Sequence, residues 1–385
     1  MVSSSFVGGL AARAVFYISV HDIFHAAKTY DSNAVTGINT LQSWYNQGTG
    51  LWDTTGWWNS ANCLTVLADY AVHNPGSGAT LNIAGIIQNT YQQAQKTSFQ
   101  AIKAFGPSGL PISTYIRMPS KSSISERGFD NFLNDYYDDE GWWALALIRS
   151  YDVTGNQEYL QAAMDIFEDM KGGASTCGGI YWSKIGTYTN AIANELYLQT
   201  GASLANRVPS KKNYYLDIAK AQWTWFKSSG MINGDNLVND GLNEQCKNNG
   251  MKTWTYNQGV ILGGLVELSK ATGDKSYLTS ASSIATAAIV ALSRDGILYE
   301  GCEPDCGADG AQFKGIFMRN LRALQQAAPQ DAFRNFLLKN ADAIWANDRN
   351  SNNQLGPTWN GPFATASAGT HSSALDAIVA AVAVA

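Results

Sequence analysis

Charge is scarce in this chain. Asp, Glu, Lys and Arg make up 15% of its 385 residues, against roughly 25% in ordinary soluble proteins. Asn, Gln, Ser, Thr and Tyr fill the polar positions instead, which is compatible with an extracellular, carbohydrate-facing protein. The formal net charge is −5 and the pI near 5.4. With no cluster of Lys or Arg, that balance excludes nucleic acid as a partner. Histidine is rarer still, at four residues. His21 and His25 have a spacing that can hold a metal on one helix face, but no third ligand accompanies them, so no metal and no cofactor are expected. Long apolar runs are missing too. Phe6–Val20 is interrupted by Arg13, and Ala377–Ala385 reaches nine residues, well short of the roughly 20 a membrane helix needs. The tail also lacks the polar spacer of a lipid-anchor signal, so a last inward-facing helix is expected there and no membrane anchor. Asn-x-Ser/Thr sequons are absent.

Cysteine is limited to Cys63, Cys177, Cys246, Cys302 and Cys306. Cys302 and Cys306 sit close together in a Gly/Pro/Asp loop and read as a local disulfide. Cys177 and Cys246, both in loop-like stretches, can form a second bridge, one of several connectivities open to five cysteines, and Cys63 would then be a buried thiol inside a helix. Aromatics, by contrast, are abundant: twelve Trp and eighteen Tyr, many beside Gly in apparent loops. Their flat faces can stack on sugar rings while their polar tips bond hydroxyls.

The length allows two or three domains, but no linker separates two cores. Residues 1–30 read as an N-terminal segment, either a signal or an extra helix, and 31–385 as one domain. From Asn33 onward, apolar residues recur at threes and fours over 33–46, 57–73, 80–105, 138–153, 156–170, 187–201, 211–228, 255–271, 274–293, 310–327, 331–347 and 370–384, which predicts twelve helices in six hairpins. Thr154-Gly155-Asn156-Gln157-Glu158-Tyr159-Leu160 recurs as Thr272-Gly273-Asp274-Lys275-Ser276-Tyr277-Leu278, with Tyr215-Leu216 between them, giving a step of about 59 residues. The Gly of each copy suits the left-handed position that ends a helix. Gly50-Leu51-Trp52, Gly179-Ile180-Tyr181-Trp182, Gly296-Ile297-Leu298-Tyr299 and Gly356-Pro357-Thr358-Trp359 mark the opposite ends of the hairpins, where longer aromatic loops imply a functional rim. Hairpins repeated around a closed ring give an all-α (α/α)6 barrel. The stretch 106–135 reads as a structureless loop and a wall of the cleft.

Tyr136-Tyr137-Asp138-Asp139-Glu140-Gly141-Trp142-Trp143 places three carboxylates among aromatics at a helix start. Acidic residues suit a first helical turn for structural reasons alone. Carboxylates among indole rings are nonetheless costly unless paired or used. Adjacent aspartates at a helix N-terminus can face one cleft at the short spacing that a retaining glycosidase needs. Glu140 reads as structural.

Asp-Asp-Glu-Gly-Trp-Trp-Ala-Leu-Ala resembles the signature of glycoside hydrolase family 76, the α-1,6-mannanases and their fungal cell-wall relatives. Gly50 to Asn62, Trp254-Thr255-Tyr256-Asn257-Gln258-Gly259 and Phe313-Lys314-Gly315-Ile316-Phe317-Met318-Arg319 resemble the fungal members too. The resemblance implies an (α/α)6 barrel, Asp138 as nucleophile and Asp139 as acid/base. The substrate-binding candidates are Asp53, Trp57, Trp58, Asn59, Asn62, Trp142, Trp143, Trp182, Asp240, Trp254, Tyr256, Asn257 and Gln258. Lys314 is either a cleft residue or an ion pair. Three functions stay open: a secreted or cell-wall, monomeric, retaining endo-α-1,6-mannanase; a transglycosylase acting on the mannose core of lipid-anchored proteins; and a barrel that binds mannan without cutting it.

Overall fold

The computed structural model describes residues 20–96, 99–106, 109–117 and 130–385, with the backbone alone for 20–27, 99, 100, 117 and 130. In chain order the elements are α1 (Val20–Leu41), β1 (Tyr45–Asn46), β2 (Leu51–Trp52), α2 (Trp57–His73), α3 (Pro75–Thr80), α4 (Ile83–Ala94), β3 (Phe99–Phe105), β4 (Pro111–Arg117), α5 (Tyr137–Thr154), α6 (Gln157–Lys171) and α7 (Ala191–Arg207). There follow α8 (Lys212–Ser228), α9 (Thr255–Thr272), α10 (Ser276–Ala291), β5 (Ser293–Arg294), β6 (Ile297–Leu298), α11 (Gly307–Gly310), α12 (Phe313–Ala327), α13 (Asp331–Asn347) and α14 (Ala368–Val382).

Six of these helices close a ring. α2 packs on α5, α5 on α7, α7 on α9, α9 on α12, α12 on α14, and α14 returns to α2. Outside it, α1, α4, α6, α8, α10 and α13 each lie against ring helices. This is the (α/α)6 barrel expected from the period of the chain. Composition explains the two layers. α9 is buried along nearly its whole length, from Thr255 to Val266 and beyond, as a helix walled on all sides must be. α6 buries only Tyr159, Leu160, Ala162, Ala163, Ile166, Phe167 and Met170, a one-sided stripe that seats it on the ring.

The repeated Thr-Gly motif does what its composition predicts. Gly155 and Gly273 take φ of 70° and 79°, a left-handed turn that glycine adopts without a Cβ clash. Their N–H groups donate to the carbonyls of Tyr151 and Ser269 and end α5 and α9. The chain then turns outward at once into α6 and α10. Connections leading inward are much longer, so the N-terminal ends of the ring helices carry the elaborated rim.

The region between α4 and α5 departs from expectation. The helix predicted over 80–105 stops at Ala94, and Phe99–Phe105 is a strand paired antiparallel with Pro111–Arg117, with Lys103 opposite Ser113. The stretch 106–135 is therefore not structureless. The local pattern fits a strand: Ile102, Ile112 and Ile116 are exposed, whereas the Lys103 side chain between them is buried. At the front of the described residues, α1 runs continuously over Val20–Leu41. Residues 1–19 and the side chains of His21 and His25 lie outside the described residues. No helix among the described residues is long and apolar enough to cross a membrane.

Both expected disulfides are present, Cys177–Cys246 and Cys302–Cys306, and Cys63 is a buried free thiol. Cys177–Cys246 closes a separation of 69 residues, tying the loop after α6 to the loop after α8. Loop-closure entropy then predicts that replacing both by Ala costs roughly 4 kcal/mol. Urea unfolding of the variant checks this, and an unchanged midpoint would contradict it.

Candidate active site

The backbone sets the site first. Tyr136 is extended (φ −127°, ψ 119°) and the helix begins at Tyr137, so Asp138 and Asp139 lie in the first turn of α5, where free N–H groups and the helix dipole favour negative charge. Both are nonetheless covered: Asp138 is 6% exposed and Asp139 not at all. The cover is the β3–β4 hairpin. Its Lys103 Nζ lies 2.7 Å from Asp138 Oδ2 and 2.5 Å from Asp139 Oδ1. Those two carboxylate oxygens therefore stand no more than about 5 Å apart. Tyr115 of β4 donates its hydroxyl to Asp139 Oδ2 at 2.9 Å, and Asn134 Nδ2 donates to the same atom at 2.7 Å.

Burial raises Asp139 to about 6, with Asp138 adding to the rise and Lys103 opposing it. Lys103 is pulled down by its own burial, but the two aspartates outweigh that and hold it above its ordinary value. Glu140 ties neighbouring loops together. It accepts from the Asn134 N–H and from Lys184 Nζ, each at 2.7 Å, and Lys184 also reaches Asp169. This clamps the loops on either side of the pair.

Several predicted residues surround the pair. The Trp182 ring lies 5.5 Å from Lys103 Nζ and 5.3 Å from the Tyr136 ring. Asp240 accepts from the Tyr188 hydroxyl at 2.5 Å, and burial raises its carboxyl to about 6 with a contribution from Asp138. Tyr256 stacks on Phe313 at 3.8 Å within the field of Asp240 and Asp138. Asn257 is fully buried with neither amide atom bonded. Trp58 stacks on Trp142 at 5.4 Å and donates to Asp309 at 2.9 Å, a carboxylate whose charge also reaches Lys103.

Others serve the scaffold. Trp57 and Trp143 pack on each other, and Trp143 on Phe132, inside the core. Asn59 bonds Gln312, and Asn62 accepts from Arg319. Gln258 holds both the N–H and the carbonyl of Val238 at 2.8 Å, pinning the loop that carries Asp240. Trp254 packs edge-on against Phe313. Asp53 is exposed and bonds only loosely to Asn46. Lys314 resolves as a buried ion pair with Glu303 at 2.6 Å, stacked on Trp359. Among the described residues no group of three or more His, Cys, Asp or Glu is placed to hold a metal.

Buried carboxyls set an acid-side stability. Burial raises Asp139 and Asp240 to about 6, Glu300 and Asp376 to about 7 and Asp348 to about 8. A carboxyl raised in the folded state binds its proton more tightly there than in the unfolded chain. It favours folding below its unfolded value, near 4, and loses that contribution as pH rises through the folded one. His73 and His371, lowered to about 4 by burial, act in the opposite sense, but only below their unfolded value of 6.5. The melting temperature is therefore expected to fall by several degrees between pH 6.5 and pH 8. A rise over that interval would contradict the assignment.

Residues 22–385 match glycosyl hydrolase family 76. The chain belongs to that family. Among curated relatives, it is 27% identical to the mannan endo-1,6-alpha-mannosidase DFG5 of Saccharomyces cerevisiae over 239 residues, which is 56% of this chain and 50% of that protein. It is also 27% identical to the DCW1 enzyme of the same name and organism over 214 residues, 50% of this chain and 47% of that one. The chain thus spans about half the length of the curated relatives it matches. Among solved folds, an inactive variant of the α-1,6-mannanase GH76A of Salegentibacter sp. HEL1_6, in complex with α-1,6-mannotriose, superposes with a TM-score of 0.74. That match has 21% identity and covers 92% of this chain and 99% of the other. Dfg5 of Chaetomium thermophilum, in complex with glucosamine, gives 0.71 at 20% identity, covering 95% and 91%.

Within this family 76 fold, sequence reasoning missed Lys103, Tyr115, Asn134, Tyr188 and Asp309. For the first two a signal was present: alternating residues on either side of Gly106-Pro107-Ser108-Gly109 are a hairpin pattern.

Proposed function

We propose that this chain is a retaining endo-α-1,6-mannanase in which Asp138 is the nucleophile and Asp139 the acid/base. The observation that carries the reading is the carboxylate pair, whose bridged oxygens lie within about 5 Å of one another. Retaining enzymes use a separation of roughly 5–5.5 Å, and inverting enzymes need about 6.5–9.5 Å to admit a water. The order of roles follows the environments. Asp139, fully buried and raised to about 6, carries a proton in mildly acidic solution and can deliver it to the glycosidic oxygen. Asp138 then attacks the anomeric carbon as the leaving sugar departs with that proton. Asp139, now ionised, takes a proton from water, whose oxygen displaces Asp138 and restores the α configuration. Trp182 and Tyr256 would offer apolar faces to the mannose rings, and Asp240 and Asn257 would bond their hydroxyls.

The names of the relatives support the substrate: two are mannan endo-1,6-alpha-mannosidases. An extracellular or cell-wall location fits the two disulfides, which persist in oxidising compartments. Incubation with unbranched α-1,6-mannan tests the proposal. Short mannooligosaccharides are expected. Products longer than the starting chains would replace hydrolysis with glycan transfer, and binding without any change in length would leave only a mannan-binding barrel.

A further inference from the structure

The two carboxylates proposed to do the chemistry cannot be reached by a polysaccharide as they stand. Asp138 and Asp139 are almost completely covered, and among the described residues the β3–β4 hairpin lies directly on both. Lys103 and Tyr115, on its inward face, meet both aspartates, and the Lys103 N–H donates to the Tyr136 hydroxyl at 3.1 Å. The outward face carries Ile102, Ile112 and Ile116, each 46% exposed. Among the described residues, the hairpin thus stands between the reacting groups and its own exposed outer face. A two-stranded hairpin has little stability of its own, so this one is held down by what its inner face touches.

The Lys103 ammonium occupies a particular place. It lies within hydrogen-bond distance of one oxygen of each aspartate, in the gap where a retaining mechanism must put the anomeric carbon and the glycosidic oxygen. A sugar and this lysine cannot share that gap. The positive charge of the ammonium also resembles the charge that develops on the sugar at the transition state. It is therefore a self-supplied occupant of the site, matched in charge to both carboxylates.

We propose that the β3–β4 hairpin is a lid latched by Lys103, that the resting enzyme is closed, and that glycan binds only after the hairpin lifts and the lysine leaves the carboxylates. The proposal rests on the mannanase reading for the identity of the glycan, but not for the existence of the latch. Its consequence is a reduction in apparent affinity by the fraction of open molecules.

Two measurements on Lys103→Ala test it separately. In steady-state kinetics on α-1,6-mannan, KM should fall severalfold, by about tenfold if one molecule in ten is open, with kcat no lower than in the parent. A raised KM, or a kcat reduced tenfold, would make Lys103 a partner of the substrate and overturn the latch. In hydrogen exchange without any ligand, the amides of 99–105 and 111–117 should exchange faster in the variant than in the parent, while those of α5 do not change. Equal exchange in the hairpin would overturn the latch as well. Tyr115→Phe, which keeps the ring and removes one of the hairpin's two bonds to Asp139, should shift both readouts in the same direction but less. If parent and variant are both inert on mannan, the mannanase reading fails and the exchange result alone decides the lid.

Discussion

Asp138→Asn removes turnover of α-1,6-mannan while the barrel stays folded. A nucleophile that acts as one unit with its neighbour takes on the order of 10⁴–10⁶ in kcat with it when lost. Asn keeps the size and removes the charge, so the loss should appear with nearly unchanged circular dichroism. Asp139→Asn should lose on the order of 10²–10⁴, the usual contribution of a general acid, and should recover part of its rate on a mannoside whose leaving group needs no proton. The two variants therefore differ in kind, which distinguishes the nucleophile from the acid. The parent's pH profile adds a sign: an acid at about 6 in the free enzyme makes kcat/KM fall as pH rises above that value. Near-parental rates in Asp138→Asn would remove the pair from the chemistry.

Asp69→Ala should unfold the protein more readily without touching the chemistry. Asp69, buried toward the C-terminal end of α2, joins Arg149 of α5 at 2.5 Å and Arg322 of α12 at 2.9 Å. Burial opposes its ionisation, but the two arginines win and hold its carboxyl well below the usual range. From there the network passes through Arg149 to Asp152 and on to Arg207 and Glu267. Cutting it at Asp69 leaves one nearly buried guanidinium and one partly buried one short of a partner. Breaking a buried pair from one side costs about 3–5 kcal/mol. Because the carboxylate pair sits at the other ends of the ring helices, kcat per folded molecule should hold. Urea unfolding reads the loss, and a change below about 1 kcal/mol would mean that the arginines find other partners.

Much of this was legible in the residues because the signals are local. Threes-and-fours spacing, Thr-Gly caps and long rim loops are written within one or two turns of each element, and together they dictate a ring of hairpins. Asp138 and Asp139 stood out because two acids among indoles are costly unless paired or used, and because the string around them resembles the family 76 signature. The hairpin was not. Ala101 to Phe105 satisfies a helical spacing as well as a strand, and what decides it is pairing with Pro111–Arg117, a non-local event. Lys103 was lost with it, since it lies 35 residues from Asp138. Tryptophan is ambiguous for a different reason. Trp57 and Trp143 fill the core while Trp182 borders the carboxylates, yet all three are buried. Buried amides are equally mute: Gln258 spends both of its polar atoms on the backbone of Val238, while Asn257 next to it spends neither.

The most direct measurement is the configuration of the first product. Proton NMR of the opening minutes of hydrolysis of unbranched α-1,6-mannan, before mutarotation, reads the anomer formed by the enzyme. Two carboxylates as close as Asp138 and Asp139 should release α-configured mannooligosaccharides first, with the β form appearing only later as the sugars equilibrate. Release of β first would mean direct attack by water across a wider gap, and would contradict a covalent intermediate on Asp138.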